Sequence, residues 1–157
     1  MQRRTFLLSA SALALAGPTA ATTTSCDFEI CRTEAEWRAR LSDAEYGVLR
    51  EHDTERPYSS PLNDETRPGR YLCRGCDLPV YSSETKYDSG TGWPSFYDNL
   101  PGAIGTQEDR RLIFQVRTEV HCRRCGGHLG HIFSDGPEPT GKRHCLNGLS
   151  LAFAPAA

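Results

Sequence analysis

The hydrophobic positions change their period along the chain, and each period predicts a different kind of element. Thr33-x-x-Glu36 and Ser42-x-x-Glu45 place a hydroxyl three residues ahead of a glutamate, just before Trp37/Leu41 and Tyr46/Leu49. That is the capping-box pattern of a helix start, and it predicts two short helices around 33–41 and 43–52. From Arg56 to Gly69 the chain is rich in Pro, Ser, Asn and Asp and reads as an extended loop. Beyond Arg70 the period shortens to two. Phe114, Val116, Thr118 and Val120 alternate with Gln115, Arg117 and Glu119, predicting a half-buried strand with the first set turned inward. Shorter runs at 70–73, 79–82, 130–133, 143–147 and 150–153 are further strands, separated by turns at Pro101-Gly102 and 136–141. Helices followed by strands imply a mainly β (α+β) domain with an antiparallel sheet.

The N-terminus stands apart from this pattern. Two arginines, an apolar run from Phe6 to Ala16 and small residues up to Ala21 have the three-part form of an export signal, and Arg3-Arg4 followed by Thr5-Phe6-Leu7 looks like the twin-arginine type. The run is too short to span a bilayer. The expected organisation is a cleaved signal at 1–21, a flexible linker at 22–32 and one domain at 33–155, exported to the periplasm without a membrane span. Loss of the two signal arginines takes the formal charge from −2 to −4. No basic patch is left to hold a phosphate backbone, so nucleic acid is not an expected partner.

The seven cysteines carry the candidate chemistry. An odd number excludes a fully paired disulfide framework. Cys73-x-x-Cys76 and Cys122-x-x-Cys125 supply four thiolates from two tight turns, the ligand set of a closed structural zinc site. Two disulfide or redox pairs are the alternative. Cys26, Cys31 and Cys145 are then available for redox work. Arg143 lies two positions from Cys145 and so on the same face of a strand, where a charge-assisted hydrogen bond would favour the reactive thiolate. A buried structural cysteine is the competing reading.

Five ordered blocks carry a resemblance. Cys73-x-x-Cys76, Ser-Gly-x-Gly-Trp-Pro-Ser-Phe at 89–96, Cys122-x-x-Cys125 with His128-Leu-Gly-His131, Asp135-Gly-Pro with Pro-Thr-Gly, and Arg143-x-Cys145-x-Asn147 resemble the B-type methionine sulfoxide reductases, specific for the R epimer. The match runs from about Leu41 to Phe153. It implies a compact antiparallel domain of two sheets forming a partly open barrel, short helices outside it, and a structural zinc ion.

It also implies a reaction in which Cys145 attacks the sulfoxide sulfur and becomes a sulfenic acid, which a thioredoxin-like reductant recycles without any organic cofactor. The substrates would be oxidised methionine residues in proteins, and the enzyme a monomer. By the same resemblance His128 and His131 orient substrate or water and assist proton transfer, while Asp135 and Asn147 support the site by hydrogen bonding. Trp93, set between Gly92 and Pro94, would form an apolar wall for the substrate methyl group together with Phe96; both could instead be core aromatics. The two histidines could alternatively ligate metal, although four thiolates already close a tetrahedron.

Three positions depart from the family pattern. Thr91 stands where an internal resolving cysteine is often found, His144 replaces the usual Tyr, and Gly148 the usual Ser. With Thr91 in place, Cys31 or Cys26 becomes the candidate resolving thiol. Two readings from other classes compete with the reductase: a zinc-knuckle binding module without turnover, and a different thiol oxidoreductase.

Overall fold

The structure is a computed structural model that describes residues 26–112 and 115–157. The expected signal at 1–21, residues 22–25 of the expected linker, and Phe114 lie outside the described residues. Both helices form where their caps predict. α1 (Glu34–Arg40) and α2 (Asp43–Glu51) start at Thr33 and Ser42, each with a complete capping box. α1 buries Trp37, and the guanidinium groups of Arg32 and Arg50 lie over its indole, both 4.8 Å from the ring centroid. α2 buries Tyr46, Val48 and Leu49 and ends on His52, which adopts the left-handed conformation.

Nine strands follow among the described residues: β1 (Gly69–Cys73), β2 (Pro79–Ser82), β3 (Lys86–Tyr87), β4 (Ser95–Phe96), β5 (Ile104–Leu112), β6 (Gln115–Cys122), β7 (His128–Phe133), β8 (Arg143–Leu146) and β9 (Leu151–Pro155). They form a three-stranded sheet ordered β2-β1-β9 and a six-stranded sheet ordered β3-β4-β8-β7-β6-β5, antiparallel throughout. Among these residues neither sheet closes, as a partly open two-sheet barrel requires. Their inner faces enclose Tyr71, Tyr81, Phe96, Leu129, Leu146 and Leu151. Phe96 packs against Tyr81 and Tyr71 with ring centroids 4.6 and 4.9 Å apart. Such aromatic pairs contribute roughly 0.5–1.5 kcal/mol beyond the burial of their area.

The burial expected along β6 is corrected, although its phase holds. Val116 is 54% exposed and Thr118 is exposed, whereas Glu119 is buried and the Arg117 side chain is 23% exposed. Among the described residues of the set on the core face only Val120 is buried; the other two run past the covered part of the sheet. The charged set lies on the opposite face and is buried there because it meets charged and imidazole partners: Arg117 donates to Asp109 at 2.6 Å, and Glu119 accepts from His128 at 2.7 Å. β5 has no hydrophobic alternation and is not expected as a strand from the sequence. It is a charged edge strand paired on one side to β6, with an irregularity between Asp109 and Leu112, a common way of blunting a sheet edge.

Candidate active site and metal centre

The four cysteines of the two knuckles are all buried, and their sulfurs lie within 4.8 Å of one another. Cys73 Sγ is 3.7 Å from Cys125 Sγ, and Cys76 Sγ is 3.5 Å from Cys122 Sγ. Both separations are far from the roughly 2.05 Å of a disulfide. They approach the ~3.8 Å edge of a tetrahedron whose centre is about 2.3 Å from each sulfur, the usual thiolate distance in zinc sites. The donor set and its spacing therefore fit a metal ion. The fold joins the pairs: Cys73 ends β1 and Cys122 ends β6, and the hydrogen bonds Cys76 N to Cys73 O and Gly126 N to Cys122 O turn each knuckle. The helices lock against this corner, with Arg40 donating to Gly75 O and Arg50 to Cys125 O.

Strand register places the candidate catalytic groups. Ser95 pairs with Cys145, Cys145 with His131, His131 with Glu119 and Glu119 with Gln107, so one row of side chains crosses the large sheet on a single face. Phe96 and His144 form the neighbouring pair and point to the opposite face, into the core. Phe96, expected at the substrate wall, is thus fully buried and away from the pocket. His144 is buried against Tyr81, whose hydroxyl lies 2.9 Å from His144 Nδ1, and burial pushes its pKa down to about 4. β7 and β8 approach so closely at Gly130 that a Cβ there would collide with the Cys145 carbonyl oxygen, which excludes a side chain at that position.

Cys145, Trp93, His131 and Asn147 line one cavity of about 130 Å³, joined by Phe133, Arg117 and Thr54. Gly92 adopts φ +88° and the Trp93 indole donates to Glu55 O at 3.0 Å, so both the turn and the ring are fixed. Asn147 Oδ1 accepts the Glu55 N–H at 3.1 Å, tying the segment after α2 to the end of β8. His131 Nε2 lies 2.8 Å from Asp109 Oδ2, and Arg117 bonds the same oxygen. Burial lowers the His131 pKa, opposed by Asp109. His128 does not line the cavity; it is buried behind His131, their ring centroids 5.3 Å apart.

Arg143 lies on the Cys145 side of its strand as expected, but its planar fork is engaged elsewhere. Nε and one terminal nitrogen each donate to the Asp135 carboxylate at 2.9 Å, and the guanidinium stacks over Phe133 at 4.4 Å. Burial raises the Cys145 pKa; Arg143 and the Thr91 hydroxyl oppose it, and the direction that results is upward. Desolvation thus works against the thiolate expected at rest and outweighs the help of a cation already shared with a carboxylate. Thr91 in turn belongs to a hydroxyl chain, 2.8 Å from Ser89 Oγ, which is 2.7 Å from Ser95 Oγ.

Cys26 and Cys31 are joined by a disulfide. Their segment rests on the second knuckle: Ile30 N donates to Arg124 O at 2.9 Å, and Phe28 packs edge-on to His121. Neither cysteine lines the cavity around Cys145.

Sequence reasoning does not single out Asp109, Arg117, Glu119, Phe133, Thr54 or His52. The one available signal is the Arg117/Glu119 alternation close to His128-x-x-His131, which brings charged groups against imidazoles once β6 and β7 are neighbours.

Comparison with known proteins bears on the whole of this architecture. The SelR domain model matches residues 41–155. A peptide methionine sulfoxide reductase MsrB of Agrobacterium fabrum is 47% identical over 128 residues, covering 81% of this chain and 94% of the relative. Its namesake in Leifsonia xyli is 48% identical over 131 residues, 82% of this chain and 94% of that protein. The Methanosarcina mazei protein of the same name is 46% identical over 125 residues, 80% and 89% of the two chains. With the strands, both knuckles and the cysteine-bearing β8 inside the matched span, the chain belongs to the SelR family of B-type peptide methionine sulfoxide reductases.

Proposed function

We propose that the protein reduces the R epimer of methionine sulfoxide in oxidised proteins. The observation that carries this reading is the convergence of Cys145 with Trp93, Phe133, His131 and Asn147 on one small cavity. An apolar wall suits a methyl group, and the opposite side offers a thiol and hydrogen-bonding groups to a polar S–O bond. The name of its relatives, peptide methionine sulfoxide reductase, supports the same substrate class.

In the proposed reaction the Cys145 sulfur attacks the sulfoxide sulfur. The S–O bond of the substrate breaks and a new S–O bond forms at Cys145, which is oxidised by two electrons to a sulfenic acid as the methionine sulfur is reduced by two. The thiol proton, held by a pKa that burial raises, ends on the transferred oxygen. His131, oriented by Asp109, stands beside that oxygen's path as the group that holds or relays the proton. A thioredoxin-like dithiol then returns two electrons, releasing the oxygen as water and forming its own disulfide.

The four-cysteine centre would hold a structural zinc ion, which supplies folding energy and takes no part in the redox step. Export to the periplasm rests on the Arg3-Arg4 signal pattern, and the Cys26–Cys31 disulfide suits an oxidising compartment. Among the described residues no helix is long and apolar enough to cross a membrane.

The test is turnover of separated R and S epimers of a methionine sulfoxide peptide, with dithiothreitol as reductant and Cys145→Ser as control. Reduction of the R epimer alone, abolished in the variant, is expected. Turnover of S alone overturns the epimer assignment, and turnover of neither favours a binding module. Elemental analysis of the purified protein should give one zinc per chain; its absence would reject the metal assignment.

A further inference from the structure

Behind the cavity lies a polar cluster that the proposed reaction leaves unused. Glu119 is only 4% exposed and sits on β6, inside the six-stranded sheet. Its Oε1 faces His128 Nδ1 at 2.7 Å and His52 Nδ1 at 3.1 Å, and its Oε2 accepts from Gln107 Nε2 at 2.6 Å. Burial acts to raise the Glu119 pKa, but the hydrogen bonds from His128, His52 and Gln107 prevail and hold it well below the usual carboxylate range. An ionised carboxylate can only accept. In its hydrogen bond to Glu119, His128 must therefore bring the hydrogen on Nδ1.

For His128 this fixes the tautomer. A neutral imidazole has one donor nitrogen and one acceptor nitrogen, and the hydrogen bond made by one decides the state of the other. With the proton on Nδ1, the lone pair is on Nε2, a buried atom that has no protein hydrogen-bond partner among the described residues. His52 is delivered to the cluster by the left-handed end of α2, and its ring lies 4.9 Å from that of His128. The helix cap, the edge strand β5 through Gln107 and its neighbour β6 thus converge on the orientation of one ring. The three ligating atoms lie close enough together for a two-histidine, one-carboxylate metal set. Gln107 and His128 already bond the two carboxylate oxygens, so Glu119 is satisfied without an ion.

We propose that Glu119 is a positioning residue for the reaction: by taking the Nδ1 proton of His128 in hydrogen bonding, it presents Nε2 of that ring as a proton acceptor behind the cavity. The inference rests on the reductase reading above and extends it to His128, which packs against His131. Glu119 itself touches neither the cavity nor Cys145.

The experiment uses the full-length protein with its metal and compares wild type, Glu119→Leu and Glu119→Gln. Nitrogen-15 spectra of the imidazoles should give His128 as the Nδ1–H form in wild type and the Nε2–H form in Glu119→Leu, where no acceptor remains. In Glu119→Leu, kcat should fall roughly 10–100-fold, the range for losing the partner that orients a working histidine. KM should stay within about threefold, since Glu119 does not line the cavity. Glu119→Gln keeps a carbonyl acceptor for Nδ1, so it should keep the wild-type tautomer and recover most of kcat. A wild-type His128 found in the Nε2–H form overturns the proposal, as does a folded Glu119→Leu protein with unchanged kcat. If Glu119→Leu does not fold, Glu119→Gln decides: a large loss of kcat with the tautomer preserved also overturns it. Wild-type inactivity on either epimer would instead strike the reductase reading, while the nitrogen-15 spectra would still decide the tautomer independently of turnover.

Discussion

His144 makes this protein's stability depend on pH in a way a tyrosine at the same position would not. The ring is 2% exposed, hydrogen-bonded to Tyr81, and its pKa is pushed down to about 4 by burial. In the unfolded chain the pKa returns to ~6.5. Between these values the unfolded state binds a proton that the folded state refuses. Stability from this group is therefore fully present above the unfolded pKa and is lost as pH falls towards about 4. Two and a half pKa units correspond to ~3 kcal/mol in all, of which ~2 kcal/mol is lost between pH 7 and pH 5. With a urea slope of about 1–3 kcal/mol per molar, the midpoint should move by roughly 1 M. The assay is urea unfolding of zinc-loaded wild type and His144→Tyr at both values of pH. Other histidines titrate in both proteins and cancel in the comparison. The variant should lose ~2 kcal/mol less than wild type; two proteins whose stabilities fall in parallel would refute the argument.

Asn147→Ala removes the side-chain acceptor for the buried Glu55 N–H, and the same segment anchors the Trp93 indole. It should destabilise the fold by about 1–3 kcal/mol and raise KM more than it lowers kcat, as read from urea midpoints and steady-state kinetics. Arg143→Ala and Asp135→Asn should move the Cys145 pKa in opposite directions, up and down respectively, because Arg143 favours the thiolate and Asp135 opposes it. The pH profile of iodoacetamide alkylation checks both signs. Thr91→Cys places a thiol where a hydroxyl now acts to lower the Cys145 pKa. One turnover without reductant should then consume two thiols as an intramolecular disulfide, detected by peptide mass spectrometry; wild type should give no such linkage to position 91.

Local signals are enough for features whose cause is local. The two capping boxes determine where α1 and α2 begin, since the reciprocal bonds are made within four residues. The paired Cys-x-x-Cys turns mark their own chemistry, and the spacing of Arg143 and Cys145 puts both on one face of a strand. The ordered motifs point to the family without any coordinate.

Other features depend on which strands become neighbours, and that is settled only by the tertiary fold. The burial of Arg117 and Glu119 follows from their having Asp109 and His128 as neighbours, so a charged alternation that normally faces water is packed beside the site. Phe96 follows Trp93 closely enough to suggest a shared substrate wall, yet one step along a strand reverses the face, and the register of β4 on β8 puts it in the core. The upward direction of the Cys145 pKa escapes the sequence for a related reason. Spacing brings the Arg143 charge near, but burial, together with the Asp135 carboxylate that engages that charge, raises the thiol pKa, and both depend on how the chain packs.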